Sequence, residues 1–225
     1  MALTGEDVTG RELVIFDFDG TLADTVEGIC ATARTVLSAH GVPEEDLERV
    51  PLIIGPPFPQ AFSLVFGLSS EEAGQVTAEY RAIYKDLGIE GWPLYPGVRE
   101  LLEDLRAAGR RLAVASSKRE PLVMRAVADN GVEGLFDVCL GKTSDEQADK
   151  SQTIARAIEA LGLAPSDAVM VGDRYHDVDA AAACGVPCVG VTYGGTAAPG
   201  ELEGAGACAV ASSVEGLREV LLGRE

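Results

Sequence analysis

The chain reads as an α/β protein, a parallel sheet with helices on both faces and a helical insertion after its first strand. Three observations predict this. Short apolar runs alternate with amphipathic stretches of helical period. Several of those runs lack polar alternation, as strands covered on both faces do. From Asp24 to Pro96 the rhythm breaks: helical patterns recur there without a convincing strand.

Leu13-Val-Ile-Phe-Asp17 is the first buried-strand run, and it stops at an acid. Thr25–Ala39 follows as a helix closed by His40-Gly41. Gly55-Pro-Pro-Phe-Pro59 is a hard interruption, because proline lacks the amide hydrogen a helix needs. Ala61–Phe66 and Ser70–Leu87 are helical again, the second with Ser70 and Glu72 at its start and Gly88 past its end. Trp92-Pro-Leu-Tyr-Pro-Gly97 returns the chain to alternation. Val98–Ala108 aligns Val98, Leu101, Leu102 and Leu105 on one stripe before Gly109. Strand runs at 111–116, 136–140 and 168–172 are each followed by a helical pattern, at Pro121–Asn130, Lys150–Leu161 and His176–Cys184. Pro187–Thr192 and a weaker Ala207–Val210 complete the strands. Alternation of this kind implies βαβ units, a parallel sheet and right-handed crossovers. The expected division is an α/β core of residues 1–23 and 96–225 with a helical domain at 24–95.

Composition narrows the function. The 225 residues carry 18 Lys+Arg against 36 Asp+Glu, a net charge of −18, and 47% are apolar. That supports a packed core, and its field repels DNA and anionic membranes, so neither is an expected partner. No apolar run approaches the roughly 18 residues of a spanning helix. The start, Met1-Ala-Leu-Thr-Gly-Glu-Asp7, has no basic segment followed by a long apolar one, so no secretory signal is expected. Cys30, Cys139, Cys184, Cys188 and Cys208 are odd in number and have no histidine near their one close pair. They read as free thiols of a reduced, cytoplasmic protein.

Ligands of a parallel sheet bind at the carboxyl ends of its strands. The first strand ends in Asp17-Phe-Asp19-Gly-Thr21, the second in Ser116-Ser117-Lys118, the fourth in Gly172-Asp173-Arg-Tyr-His-Asp177. Acids brought together from different strands repel one another unless a cation sits among them, and hard oxygen donors suit Mg²⁺. Asp17 and Asp19, two apart in an extended segment, face the same side. One can meet a reacting group while the other exchanges protons with it. Gly20 permits an unusual backbone angle, and the freed amides of the turn can form an anion nest. Singly, each feature has a plain reading: Asp-x-Asp-Gly is usually a turn, Asp173 and Asp177 suit a helix start, and Lys150 suits a solvated one. A calcium loop is excluded because Gly28 stands where its twelfth-position Glu belongs. Their joint placement at the ends of different elements is what points to a site.

These residues resemble the four motifs of the haloacid dehalogenase superfamily, in that family's order and across nearly the whole chain. Phe16-Asp17-Phe-Asp19-Gly-Thr-Leu-Ala-Asp-Thr25 resembles the first motif and Ala115-Ser116-Ser-Lys118 the second. Lys150, opening Lys150-Ser-Gln-Thr-Ile154, is similar to the third, and Val171-Gly-Asp173-Arg-Tyr-His-Asp177 to the fourth. The insertion corresponds to the family's small mobile cap. Ile54-Gly-Pro-Pro57, Tyr95-Pro-Gly97 and Glu203-Gly-Ala-Gly-Ala207 are most similar to phosphoglycolate phosphatases and 5′-nucleotidases.

The resemblance implies a phosphatase with assigned roles. Asp17 would attack phosphorus, and Asp19 would act as acid and then base. Asp17, the Asp19 carbonyl and Asp173 would hold Mg²⁺, with Asp177 on a metal-bound water or orienting Lys150. Ser116, the Ser117 amide and Lys150 would hold the phosphoryl oxygens. Lys142, in Gly141-Lys-Thr-Ser144, is the alternative phosphate lysine. Ser117 stands where relatives often carry Asn, and a backbone amide makes that exchange harmless. Asp19 argues against dehalogenases, whose halide leaves without a proton and which lack an acid at this position, and against phosphonatases, which lack it too. A sugar phosphomutase is the alternative, and a non-enzymatic phospho-receiver is a remote one. The partner is a small phosphate ester, with phosphoglycolate, a nucleoside monophosphate and a secondary-metabolite phosphate all open. Arg34, Arg49, Arg81, Tyr84 and Lys85 are specificity candidates in the insertion, and His176 is a candidate for the rim. The chain is expected to be a monomer or homodimer.

Overall fold

A computed structural model describes residues 8–54, 56, 58–144, 147 and 150–223. The opening Met1–Asp7, and Gly55 and Pro57 of the proline-rich run, lie outside them. In chain order the elements are β1 (Leu13–Phe16), α1 (Val26–Ala39), a 3₁₀ stretch (Glu44–Ile53), α2 (Gln60–Phe66), α3 (Ser70–Tyr84), α4 (Val98–Ala107), β2 (Arg111–Arg119), α5 (Glu120–Asp129), β3 (Val138–Lys142), α6 (Ser151–Leu161), β4 (Ala168–Gly172), α7 (Tyr175–Ala183), β5 (Cys188–Val191), α8 (Glu201–Ala205), β6 (Ala209–Ala211) and α9 (Val214–Leu222).

Six parallel strands form one sheet in the order β3-β2-β1-β4-β5-β6. Leu13 of β1 stands beside Arg111 of β2 on one side and Ala168 of β4 on the other. The chain therefore builds outward from β1 in one direction, then restarts beside it with β4 and builds outward in the other. Connections diverge at such a switch point and leave a crevice at the carboxyl ends of the two strands. Asp17 follows β1 and Asp173 follows β4, so both open into that crevice.

Every residue of β1 and β4 is buried, as the unbroken apolar runs require. Leu13, Ile15, Ala113, Ala115 and Met170 pack with Ile154, Ala157 and Ile158 of α6 and Val178 and Ala181 of α7. The alternate side chains Val14, Phe16, Leu112 and Val114 point to the opposite face and are equally buried. There α4 lies against β2 and α9, burying the stripe Val98, Leu101, Leu102 and Leu105. Truncating Leu105, which is fully buried, to Ala would cost about 2–5 kcal/mol.

The chain divides into two compact units, Met1–Asp24 with Leu94–Glu225, and Thr25–Pro93. Within the second, α3 starts at a capping box: Ser69 accepts from the Glu72 amide, and Glu72 accepts from the Ser69 amide at 2.9 Å. Phe58, Phe62, Tyr80, Tyr84 and Trp92 form a chain of ring contacts at centroid spacings of 4.8 to 5.4 Å.

Three features depart from the sequence expectation. The second strand runs to Arg119, because Arg119 re-pairs with Lys142 of β3 beyond an irregularity that starts after Ala115. Glu44–Ile53, to which the sequence pattern assigns no element, is 3₁₀ and buries Leu47, Val50 and Ile53. α9 follows β6 where no helix was expected, with the Ser213 hydroxyl accepting from the Gly216 amide at 3.0 Å.

Candidate active site

Asp17 continues the ladder by one bond, its amide donating to the Val171 carbonyl at 2.9 Å, before the chain turns. The Phe18 amide donates to Asp17 Oδ1 at 2.7 Å. The Leu22 and Ala23 amides both close on the Phe18 carbonyl, at 2.9 and 3.0 Å, so the turn is internally bonded. Gly20 sits in it at φ +76°, and a Cβ there would collide with Asp173 Oδ2. Gly172 plays the same part on β4: a Cβ there would collide with the Asp177 side chain. These two glycines let the acids of the β1 and β4 ends approach.

The acids converge. Asp17, Asp173 and Asp177 are buried, and each offers a carboxylate oxygen within 4.8 Å of the others. Lys150 is the N-cap residue of α6, and its buried ammonium lies 2.6 Å from Asp17 Oδ2 and bonds Asp177 Oδ1 as well. Burial disfavours that charge, but the Asp17 and Asp177 carboxylates outweigh it and hold the lysine above its ordinary value. Asp177 also accepts from the Arg174 amide at 3.0 Å. Burial raises its carboxyl, as does the charge of Asp17. Asp173 is pushed up to about 8, first by burial and then by Asp177 and Asp17. Three buried carboxylates face one ammonium here, an all-oxygen donor set with negative charge in excess. The residues present fit a divalent cation.

Asp19 does not join this cluster through its side chain. Its Oδ1 stands 3.0 Å from Lys118 Nζ, an ion pair that falls short of hydrogen-bond alignment. Ser116 is buried in the carboxyl half of β2, and Ser117 beside it is exposed. Both lie where the β2–β3 register breaks, an irregularity of the kind that re-aims side chains next to ligand sites. The Ser116 hydroxyl accepts from the Lys118 amide at 3.2 Å. Lys142 is buried at the end of β3, paired in register with Arg119.

The sequence reading missed a loop after β5. Thr196 donates its hydroxyl to Asp173 Oδ2, Thr21 donates to Asp173 Oδ1 at 3.2 Å, and Tyr193 donates to the Thr21 carbonyl at 2.5 Å. Lys118, read from the sequence as a strand-end residue, pairs with Asp19, a partnership the sequence did not suggest. Of the specificity candidates, Tyr84 is buried and donates to the Gly91 carbonyl at 3.2 Å. Arg49 lies over the Phe66 ring and pairs with Asp46 at 3.6 Å. Both side chains therefore have structural duties within the helical unit. His176 is held below its ordinary value by burial, then by Arg174 and Lys150. All five cysteines are free thiols. Among the described residues no helix is long and apolar enough to cross a membrane.

Fold and site together define an α/β protein with a buried acidic cluster at the carboxyl edge of a parallel sheet. The profile of the haloacid dehalogenase-like hydrolases matches residues 14–191, and the chain belongs to that family. It is 42% identical over 185 residues to the tyrosine-protein kinase PtkA of Mycobacterium tuberculosis, an alignment covering 81% of this chain and 62% of that protein. It is 34% identical to a 5′-nucleotidase of Pseudomonas aeruginosa, covering 80% and 82%. A solved structure of a predicted phosphatase from Clostridium acetobutylicum superposes with a TM-score of 0.85 at 32% identity, covering 93% of this chain and 97% of that one.

Proposed function

We propose that the protein is a Mg²⁺-dependent phosphatase that hydrolyses a small-molecule phosphate monoester, of the phosphoglycolate or nucleotide type, through an aspartyl-phosphate on Asp17. One observation carries this reading: the Asp17 carboxylate at the sheet's switch point, paired with buried Lys150 and grouped with Asp173 and Asp177.

An Asp17 oxygen attacks phosphorus as the bond to the leaving oxygen breaks, and Asp19 gives that oxygen its proton. Water then attacks the same phosphorus and passes a proton to Asp19. The bond to Asp17 breaks, releasing phosphate and restoring both acids. The Ser116 hydroxyl, the Ser117 amide and the Lys150 ammonium hold the phosphoryl oxygens, over which the transferring charge is spread. Asp17, the Asp19 carbonyl, Asp173 and Asp177 form the Mg²⁺ site. The bound cation supplies positive charge against the phosphoryl oxygens and the crowded carboxylates. The helical unit Thr25–Pro93 takes the cap role in this proposal.

A second reading changes both the acceptor and the donor of the phosphoryl group. The 42% identity to a protein named a tyrosine-protein kinase favours it. A tyrosine hydroxyl would take the place of water, and a nucleoside triphosphate would be the donor.

One experiment separates the outcomes. A panel of phosphate monoesters is scored by kcat/KM for phosphate release, beside ATP with a tyrosine-containing peptide. Release from at least one ester, lost in Asp17→Asn, supports the phosphatase. Peptide phosphorylation without ester hydrolysis supports the second reading, and inactivity in both assays with Mg²⁺ overturns both.

A further inference from the structure

The Thr192–Thr196 loop touches the acidic site through two side chains and one backbone approach. Its start is fixed to the sheet, the Thr192 amide donating to the Ala211 carbonyl at 3.0 Å, and it turns back where the Gly195 amide donates to the Thr192 carbonyl at 3.0 Å. From there Thr196 reaches Asp173 Oδ2, the oxygen not bonded by Thr21. Tyr193 bonds the Thr21 carbonyl, and its ring meets Tyr95 edge-on at 5.3 Å. Tyr95 is joined to the same turn, its amide donating to the Leu22 carbonyl at 3.0 Å. Gly194 passes so close that a Cβ there would lie 2.6 Å from the Gly20 carbonyl oxygen and 2.7 Å from Tyr95 Oη.

We propose that this loop is the positioning element of the cation site, with Thr196 as a positioning residue that sets the orientation of the Asp173 carboxylate. The proposal rests on the cation reading given above. Asp173 is bounded on three sides: Gly20 lies against it, Thr21 bonds one oxygen and Thr196 the other. Rotation of the carboxylate breaks both hydroxyl bonds. Each oxygen has two acceptor sites, so one hydroxyl on each still leaves both able to face a cation. Tyr193 carries the same constraint to the Gly20–Thr21 turn, so the elements that bound Asp173 are tied to each other as well as to it. Partners that orient metal ligands from outside are worth about 10–100-fold in metal affinity.

The test titrates Mn²⁺ into metal-free protein and reads free Mn²⁺ by electron paramagnetic resonance. Thr196→Val keeps the side-chain shape and deletes the donor; it weakens the Mn²⁺ Kd by about 10-fold or more. Thr196→Ser restores the hydroxyl and returns the Kd to within about 3-fold of the unmodified protein. In turnover with an ester the enzyme hydrolyses, Thr196→Val raises the half-maximal metal concentration by about 10-fold while kcat at saturating metal stays within about 3-fold. Tyr193→Phe keeps the ring contact and moves the Kd in the same direction, which preserves the test if Thr196→Val does not fold. Equal Mn²⁺ affinity in Thr196→Val, or in Tyr193→Phe where it is the readable variant, overturns the proposal. Failure of the serine variant to restore binding also overturns it, because packing rather than the hydroxyl would then be at work. No Mn²⁺ binding by the unmodified protein overturns the cation reading and this proposal together.

Discussion

The Lys150 ammonium stands 2.6 Å from Asp17 Oδ2, and both residues are buried although they come from different elements, the start of α6 and the end of β1. The same nitrogen bonds Asp177, so one cation ties three parts of the chain. Lys150→Met would leave that acidic cluster without its ammonium. Breaking one partner of a buried pair costs about 3–5 kcal/mol, so the metal-free variant should melt well below the parent in EDTA. Phosphate release should fall by about 10²–10³-fold at saturating Mg²⁺, as expected when one donor to the phosphoryl oxygens is lost. An unchanged melting temperature in EDTA would show that the pair does not hold these elements.

Asp17→Asn should eliminate turnover and leave the fold intact. A neutral amide is neither a nucleophile nor a strong cation ligand, and losses of this kind reach about 10⁴-fold or more. Trapping phospho-enzyme after acid quench is the direct check. A labelled phospho-enzyme in the asparagine variant would assign the nucleophile elsewhere.

How far the site was legible depends on what carries each residue. Asp17 and Asp173 directly follow unbroken apolar runs, so strand geometry places them on one edge, whereas Asp19 lies in the turn after β1 and Asp177 in α7. Lys150 was legible from its position at a helix start. Thr196 and Tyr193 were not, because Thr-Tyr-Gly-Gly-Thr carries only turn signals. Its nearness to Asp173 depends on β5 lying beside β4, which no local pattern encodes. The Lys118–Asp19 pair was hidden for a similar reason, since β2 continues past Ser116 only through its re-pairing with β3. α9 was legible and overlooked: Ser213 is a good cap, and Val214, Leu217 and Leu221 share a stripe.

The proposed cation role, argued from the excess of carboxylate, predicts metal dependence. Treatment with EDTA should abolish phosphate release, and Mg²⁺ should restore it. Ca²⁺ should restore it poorly, because its larger and looser coordination misplaces the attacking carboxylate. Full turnover by exhaustively chelated enzyme would remove the cation from the mechanism.

The metal-free protein should lose stability as pH rises from about 4 to about 8. Folding raises the Asp173 carboxyl from 3.8 to about 8 through burial and its neighbours Asp177 and Asp17. Between those values the folded state holds a proton that the unfolded state has released. Stability therefore falls with pH across that window and levels off above it, by at most about 1.4 kcal/mol per pH unit for one group. Melting curves in EDTA should show the slope, Asp173→Asn should flatten it, and Mg²⁺ should raise the melting temperature more at pH 8 than at pH 5. A slope unchanged in Asp173→Asn would place its origin in other groups.

Asp19 gives the sharpest test of the proposed chemistry, because its two roles fall on different steps. An alkyl phosphate leaves as an alkoxide, which needs a proton, whereas p-nitrophenolate hardly does. General-acid help is worth about 10²–10⁴-fold, so Asp19→Asn should slow phospho-enzyme formation from an alkyl ester by about that much and from p-nitrophenyl phosphate far less. Single-turnover measurement is required, since Asp19 also activates water in the second step and would limit steady-state rates for both esters. The ion pair with Lys118 sharpens the comparison: Asp19→Asn removes a charge but keeps the backbone carbonyl assigned to the cation. Metal affinity of the variant should therefore stay near that of the parent while the two first-step rates separate. Equal slowing of the first step for both esters would remove Asp19 from the acid role and leave it the backbone contact alone.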